Sequence, residues 1–202
     1  MRDEGVTKYR VDFRPAAEPD AEEVENLIAC RDRLFARGLI GVYPDGIGFG
    51  NVSARIPKTG HFFITGTQTG HLPKLRAEHI ARVTGYSIAE NRVECRGPVQ
   101  ASSESLTHAA VYELEPTIGA VIHIHQRELW RRALQHLPTT NASIPYGTPA
   151  MAREMQRLYK ETNLKEVRAL VMAGHEEGCI TFGANLAQAE LALEGAIKLF
   201  GR

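Results

Sequence analysis

The sequence of 202 residues is poor in cysteine and carries no net charge, and both features exclude classes of function. Its three cysteines, Cys30, Cys95 and Cys179, are scattered, odd in number and without the spacing of a CxxC motif. They predict reduced thiols in a cytoplasmic protein rather than a disulfide framework or a cysteine metal site. Lysine plus arginine and aspartate plus glutamate each number 24, so the basic excess of a nucleic-acid-binding protein is missing.

Long apolar runs are also missing, and none approaches the roughly 20 residues that a membrane-spanning helix needs. The opening stretch, MRDEGVTKYRVDF, is charged and lacks the apolar segment of a signal peptide. We therefore expect neither export nor a membrane partner. The length suits one domain, and we expect an extended lead-in at residues 1–19 followed by a single domain at residues 20–202.

Helical and strand-like patterns mix along the whole chain. The first helix is predicted in DAEEVENLIACRDRLFARGLIG, with Asp20 as N-cap and Gly38 at its C-terminal end. Short runs bounded by Gly, Pro and Asn predict strands with antiparallel neighbours, namely FGNVSARIP, HFFIT, ARVTGY and NRVECRG. Further strands (GAVIHIHQ, ALVMAG, CITFG) and helices (SSESLTHAAVYEL, RELWRRALQHL, PAMAREMQRLYKET, NLAQAELALEGAIKLF) follow. We predict an α/β fold, a three-layer α/β/α sandwich with a mostly antiparallel central sheet.

The segment AVIHIHQ, residues 120–126, places two histidines one residue apart in an apolar run. Side chains alternate between the faces of a strand, so His123 and His125 share one face. The other face carries Ala120, Ile122 and Ile124, which we expect to point into a core. Two imidazoles that project in parallel can converge on one cation such as Zn²⁺. The motif alone favours the alternative, in which two partly buried rings bond to backbone or carboxylate groups.

Two further residues have positions that suit such a site. His175, in MAGHEEGCITFG, comes at the end of a strand before a glycine turn, although a turn histidine is the simpler interpretation of its position alone. Glu104 comes at or near the start of a helix that opens after Ser102 or Ser103, where a capping box is the alternative interpretation. The remaining histidines lie in no comparable motif and are interpreted as surface or structural residues: His61, His71, His79, His108 and His136.

Loops rich in Gly, Thr, Ser and Asn indicate an anion site. GIGFGNVS and ITGTQTGHL expose backbone N–H groups and hydroxyls, which suit a phosphate monoester where few cations are available. Ser102 and Ser103 add two hydroxyls at a helix start. Each loop alone is a weak signal because glycines also make turns between strands, but three loops together with the histidine pair favour a site.

In this order, GNVSAR, FFITGTQTG, SSESLTHAAVY, AVIHIH, GHEEG and NLAQAELAL resemble the class II aldolase/adducin family over about residues 20–201. Its members include fuculose- and rhamnulose-phosphate aldolases, ribulose-5-phosphate 4-epimerase and methylthioribulose-phosphate dehydratase. The resemblance implies an α/β/α sandwich and a C4 homotetramer with sites at the subunit interfaces.

The resemblance also implies roles for individual residues. His123, His125 and His175 would bind a divalent metal, with Glu177 as the reserve third ligand. Zn²⁺ is the expected metal, with Mn²⁺, Fe²⁺, Ni²⁺ or Co²⁺ as alternatives. Glu104 would be the general acid and base. The phosphate-binding positions would be Asn51, Thr69, Gly70, Ser102 and Ser103, with Thr65 and Gly66 as the alternative Thr-Gly pair.

Three departures from the family pattern stand out. The family has histidine directly before glycine at the third ligand, whereas two residues separate His175 from Gly178 here. The loop ITGTQTG is longer than in the aldolases, and Gly48 stands where fuculose-phosphate aldolase has a phosphate-binding threonine, so another anionic group could replace the phosphate. No residue matches securely the tyrosine that protonates the aldehyde. Tyr146 is the nearest candidate, and a neighbouring subunit could supply the acid instead.

We therefore expect a metal-dependent carbon–carbon lyase that acts on a small phosphorylated ketose through a metal-stabilised enediolate. The alternatives are a sugar-phosphate dehydratase, a 4-epimerase, a metal-dependent decarboxylase or a non-catalytic adducin-like assembly module. Adducin head domains lack the metal ligands, so the histidine pair together with Glu104 favours an enzyme. The expected partners are a sugar-phosphate-like small molecule and copies of the same chain, without nucleic acid or membrane.

Overall fold

Strands and helices mix along residues 6–201, the part of the chain that the computed structural model of the protein describes. The strands are β1 (Arg10–Pro15), β2 (Gly41–Val42), β3 (Gly48–Phe49), β4 (Asn51–Arg55), β5 (Phe62–Thr65), β6 (Ile80–Ser87), β7 (Arg92–Gly97), β8 (Ala120–His125), β9 (Ala169–Val171) and β10 (Gly178–Gly183). The α-helices are α1 (Ala21–Ala36), α2 (Ser105–Tyr112), α3 (Arg127–Ala133), α4 (Pro149–Glu161), α5 (Leu164–Val167) and α6 (Leu186–Phe200).

Eight of these strands form one sheet in the order β1-β7-β6-β5-β4-β8-β10-β9, and β2 and β3 form a separate two-stranded ribbon. Within the described sheet only β1 and β7 pair in parallel, and the other pairs are antiparallel. The predicted α/β class with a mostly antiparallel sheet is therefore confirmed.

The predicted lead-in adds a strand to this sheet. Its residues Arg10–Pro15 form the parallel edge strand, and Val11 and Phe13 of that strand pack against the core. Residues 1–5 of the lead-in and residue 202 lie outside the described residues. The alternation of apolar and charged residues in RVDFRP is the local pattern that suits a strand with one covered face.

Helices cover both faces of the sheet, which gives the three predicted layers. On one face, Leu106 of α2 and Met155 of α4 belong to a core that also contains Val121 of β8. On the other face, α1, α3 and α6 enclose a second core, which contains Leu193 of α6 and Ile122 of β8. No helix within residues 6–201 is both long and apolar enough to cross a membrane.

The central position of β8 determines where its side chains point. The strand lies between β4 and β10, and every one of its residues is buried. Ala120, Ile122 and Ile124 belong to the core beneath α1, α3 and α6, as predicted. Because neighbouring residues alternate, His123 and His125 point to the opposite face, where α2 begins.

His108 of α2 is buried and hydrogen-bonded to the sheet. Its Nδ1 lies 2.7 Å from the hydroxyl oxygen of Ser53, which in turn lies 2.8 Å from the hydroxyl of Tyr112. Burial lowers the pKa of His108 from 6.5 to about 3, because a charged ring would lose its hydration there. At neutral pH this ring is therefore an uncharged part of the core.

His108 should make the stability of the protein depend on pH. The unfolded chain takes up a proton at this ring below its ordinary pKa of 6.5, whereas the folded chain resists protonation down to about 3. The contribution of His108 to the free energy of unfolding is therefore fully present above pH 6.5. It decreases as the pH falls toward 3, by at most about 1.4 kcal/mol per pH unit. We predict that His108→Asn shows a shallower fall between about pH 6 and pH 4, measured by urea unfolding. Equal slopes in the two proteins would contradict this assignment.

Candidate metal centre and anion cavity

Three histidines from two segments meet at one end of β8. His123 and His125 belong to that strand, and His175 lies in the turn between β9 and β10. The turn is tight, since the N–H of His175 donates to the carbonyl of Met172 (3.1 Å) and the N–H of Gly178 donates to the carbonyl of His175 (2.9 Å). Glycine is required at 178 because a Cβ there would collide with the His175 ring and lie 3.2 Å from Nε2 of His123.

The three imidazole rings are close enough to share one ion. One ring nitrogen from each residue lies within 4.8 Å of the others, and the Nε2 atoms of His125 and His175 are 3.0 Å apart. All three side chains are buried. Because zinc binds imidazole nitrogen at about 2.0–2.1 Å in tetrahedral sites, three converging rings of this kind can supply three of its ligands.

His123 has the electrostatic properties of a metal ligand. Burial, followed by the neighbouring histidine rings, lowers its pKa well below the ordinary 6.5, so the ring is neutral, as metal coordination requires. Neither of its ring nitrogens makes a hydrogen bond within residues 6–201. A buried polar atom in that state costs about 1–3 kcal/mol, which a bound cation would offset. The donor set therefore fits a divalent metal.

Glu104 lies beside the histidines at the start of α2. Its Oε1 lies 3.4 Å from Nδ1 of His123 and 3.4 Å from Nε2 of His175, and its side chain is 1% exposed. The helix begins at Ser105, later than predicted, because a turn precedes it in which the N–H of Ser105 donates to the carbonyl of Ser102 (3.0 Å). Glu104 is thus itself the N-cap residue, and the capping-box interpretation is wrong.

A cavity of about 420 Å³ adjoins these side chains. Residues 46–51, 66–71 and 102–103 line it, so the fold brings together the three loops that the sequence marked. Asn51 pairs with His123 across β4 and β8, which places the cavity next to the histidines. The buried Oδ1 of Asn51 makes no hydrogen bond within the described chain. All five predicted phosphate residues lie in the wall: Asn51, Thr69, Gly70, Ser102 and Ser103.

The wall of this cavity is almost free of cationic side chains. Its described lining contains neither lysine nor arginine, so the available anion donors include hydroxyls, the side-chain amides of Asn51 and Gln68, and backbone N–H groups. His71 also lines the cavity and is exposed there, although no sequence pattern placed it in a site. Its neighbours in the loop, Thr69 and Gly70, were the stronger signal because they form part of a glycine-rich segment.

Arg31 of α1 holds the 66–71 loop from behind. This buried guanidinium donates to the carbonyls of Thr69 (3.0 Å), Gly70 (3.4 Å) and Leu72. The carbonyl and the N–H of a trans peptide point in opposite directions, so the N–H groups of Gly70 and His71 point away from Arg31. A side chain outside the cavity lining thereby fixes the direction of the N–H groups of two residues that line it.

The alternative Thr-Gly pair lies differently. Thr65 is buried in the sheet, where its Oγ1 accepts the N–H of Val52 (3.3 Å), whereas Gly66 lines the cavity. The hydroxyl of Thr69 donates to the carbonyl of Gly66 (2.8 Å). The side chain of Thr69 therefore closes the turn. Because its hydroxyl proton is used in that bond, the oxygen can only accept further hydrogen bonds.

Two residues surround His125 on the side away from the other histidines. The hydroxyl oxygen of Tyr43 lies 2.8 Å from Nδ1 of His125 and donates to Oε2 of Glu177 (2.9 Å). Glu177 also lies 3.6 Å from Nε of Arg127, and the group of three ligand atoms does not include it. No sequence pattern singled out Tyr43, because 82 positions separate it from His125 and only the fold brings the two together.

Tyr146, the nearest match for the missing tyrosine acid, packs against the histidines. Its ring centroid lies 4.6 Å from that of His175. Its hydroxyl donates to the carbonyl of Val6 (3.0 Å) and accepts the N–H of the same residue (3.1 Å). This tyrosine thus packs its ring against His175 while the backbone of Val6 binds its hydroxyl.

Solved structures share this fold at low sequence identity. YgbL from Klebsiella pneumoniae aligns with a TM-score of 0.65 at 22% identity, over 89% of this chain and 88% of that protein. An L-fuculose 1-phosphate aldolase aligns with a TM-score of 0.63 at 18% identity, over 90% and 86% of the two chains. The L-fuculose-1-phosphate aldolase from Thermus thermophilus gives 0.55 at 24% identity, over 85% and 84%. These similarities concern the fold.

Sequence comparisons identify the family. A methylthioribulose-1-phosphate dehydratase from Gluconacetobacter diazotrophicus is 34% identical over 110 residues, which are 54% of this chain and 48% of that protein. The chain therefore spans about half the length of this relative. The family model for the Class II Aldolase and Adducin N-terminal domain matches residues 25–200. Because this match covers most of the chain, the chain belongs to the class II aldolase and adducin family.

Proposed function

We propose that this protein is a divalent-metal-dependent lyase that acts on a small phosphorylated ketose. The observation that carries the proposal is the position of the Glu104 carboxylate, 3.4 Å from two of three clustered histidines and beside a cavity lined by neutral anion donors. The proposed cation site, base and anion site would thus contact the same small molecule.

His123, His125 and His175 would hold the metal. Three imidazoles that leave a coordination position open are a common catalytic zinc set, so we propose Zn²⁺, and Fe²⁺ or Ni²⁺ also accept imidazole ligands. When bound, such an ion acts as a Lewis acid toward a carbonyl or hydroxyl oxygen.

Glu104 would move the proton. Its carboxylate would accept a proton from the carbon or hydroxyl group next to the substrate carbonyl and return it later in the cycle. The side chain is only 1% exposed, so bulk water is kept away from that proton. Its place at the N-terminus of α2 puts the carboxyl group at the positive end of the helix dipole.

The cavity would bind the phosphate at the far end of the substrate. Asn51, Ser102 and Ser103 offer an amide and two hydroxyls, and the loop at Gly70 offers backbone N–H groups. Fixing the phosphate in this way fixes the distance from that group to the carbonyl, and such positioning alone lowers a reaction barrier by several kcal/mol, up to about 7–11.

Two reactions fit these roles. Carbon–carbon cleavage requires a base that removes a hydroxyl proton, and it is the reaction that we expect from the resemblance to the phosphate aldolases. Dehydration requires a base that removes a C–H proton beside the carbonyl, and the similarity to a methylthioribulose-1-phosphate dehydratase favours it. Incubation of the metal-loaded protein with a panel of ketose 1-phosphates, followed by NMR, distinguishes them, because cleavage gives two fragments and dehydration gives one product that has lost water.

The metal assignment predicts about one divalent ion per purified chain, measured by mass spectrometry. The double variant His123→Ala/His125→Ala and the single variant His175→Ala should lose it, because each removes a ligand. His136→Ala is the control, since His136 is exposed and lies outside the group. If His175→Ala keeps the metal and Glu177→Ala loses it, Glu177 is the third ligand instead of His175.

The acid–base assignment predicts that Glu104→Gln lowers kcat by at least about 100-fold, because the amide cannot accept the proton. Metal content should stay unchanged. Glu176→Gln is the matched control, because Glu176 directly follows His175 in the sequence but its side chain is 59% exposed. A Glu104→Gln variant with the turnover of the native protein would refute the role.

The anion assignment predicts that Gly70→Ala weakens the binding of inorganic phosphate by roughly tenfold or more, the equivalent of one lost hydrogen bond to a charged group. A Cβ at this position would collide with the carbonyl oxygen of Gly41 and lie 3.0 Å from Cα of Gly48, so the loop must move. Gly60→Ala is the control because its Cβ would meet nothing within 4 Å. Calorimetric titration gives both affinities, and equal values would argue against the cavity as the phosphate site.

A further inference from the structure

Within the described residues the Tyr43 hydroxyl contacts both His125 and Glu177, but it has a single proton. It lies 2.8 Å from Nδ1 of His125 and 2.9 Å from Oε2 of Glu177. A carboxylate is the stronger acceptor, because hydrogen bonds to charged groups are roughly twice as strong as neutral ones. With the proton directed to Glu177, the Tyr43 oxygen can only accept a hydrogen bond from His125.

This arrangement determines the tautomer of His125. If Nδ1 donates to Tyr43, then Nδ1 carries the ring proton and Nε2 keeps a lone pair. That Nε2 is the atom that faces Nε2 of His175 at 3.0 Å. The contact with Tyr43 therefore points the lone pair of His125 toward the other two histidines, in the direction that a shared metal requires.

The ribbon of β2 and β3 holds Tyr43 in place. The N–H of Tyr43 donates to the carbonyl of Ile47 (2.8 Å), and its ring centroid lies 4.5 Å from that of Phe49. Phe49 in turn packs against the ring of His125, with centroids 5.5 Å apart. The hairpin and the ring packing therefore fix the direction of the Tyr43 hydroxyl.

Glu177 occupies an unfavourable backbone conformation. Its φ is 70°, in the left-handed region that costs a non-glycine residue about 1–2 kcal/mol. The backbone is fixed there, since the carbonyl of Glu177 accepts the N–H of Gln126 (3.0 Å), and the side chain is 15% exposed. Glycine would adopt this conformation at lower cost, so the strain points to a use for the carboxylate.

We propose that Tyr43 and Glu177 are positioning residues for the metal centre, which together fix the tautomer and the orientation of His125. The inference rests on the proposed function, because it assigns a purpose to His125 as a ligand. Groups that orient a metal-binding histidine in this way typically change metal affinity by about 10–100-fold when they are removed. The carboxylate also makes the Tyr43 oxygen a better acceptor, which raises the electron density on the imidazole.

Zn²⁺ affinity, measured by competition with a chelating indicator, tests the proposal on the whole chain. Tyr43→Phe should bind Zn²⁺ about 10–100-fold more weakly. Glu177→Ala should weaken binding too, whereas Glu177→Gln should do so less, because its amide oxygen still accepts the Tyr43 proton. The double variant Tyr43→Phe/Glu177→Ala should bind no more weakly than Tyr43→Phe, since Glu177 acts through Tyr43. The absorption spectrum of bound Co²⁺ should shift in Tyr43→Phe.

Tyr159→Phe is the matched control, because Tyr159 donates to the carboxylate of Glu115 away from the histidines. It should bind Zn²⁺ as tightly as the native chain. Thermal unfolding without metal shows that each variant is folded. Native affinity and an unchanged Co²⁺ spectrum in Tyr43→Phe would overturn the positioning role while leaving the metal centre intact. Additive losses in the double variant would overturn the link from Glu177 through Tyr43. A native chain that binds no metal would overturn the proposed function itself.

Discussion

The alternation of side chains along β8 is the constraint on which the rest of the site depends. Both faces of this strand are covered, so one row of side chains fills the core beneath α1, α3 and α6. The other row contains His123 and His125, whose ring nitrogens need partners wherever water is excluded. The turn that carries His175, the carboxylate at the start of α2 and the hydroxyl of Tyr43 all approach this second row. The chemistry that we propose is thus concentrated where the fold buries polar atoms.

Local patterns were sufficient for part of this structure. The shared face of the two β8 histidines follows from a repeat of two, and the strands around it follow from short apolar runs between turn residues. The start of α2 was not predictable to the residue, because a turn at Ser102 precedes the helix and the sequence there also suits a capping box. Edge strand β1 was missed since a single covered face leaves only a weak alternation in RVDFRP.

Contacts between distant segments explain what local patterns could not predict. Arg31 contacts Thr69 across 38 positions, and Tyr43 contacts His125 across 82. Neither residue carries a local signal, because a buried arginine in a helix or a tyrosine in a turn has many structural uses. The consequence for the cavity is that Arg31 holds its loop at Thr69 and Gly70 through their carbonyls. Most of the described lining of the cavity consists of Gly, Ser, Thr and Asn, which lose less rotamer freedom on binding than long side chains do.

The ribbon of β2 and β3 contacts both halves of the site. The backbone of Gly41 and Gly48 lies against Gly70 in the anion loop, and Tyr43, one residue after β2, lies against His125. One short hairpin therefore sets the separation between the group that would hold a phosphate and the group that would hold a carbonyl. Selection among ketoses by carbon-chain length would then depend on this hairpin, and an insertion in it would change the preferred substrate length without altering any metal ligand.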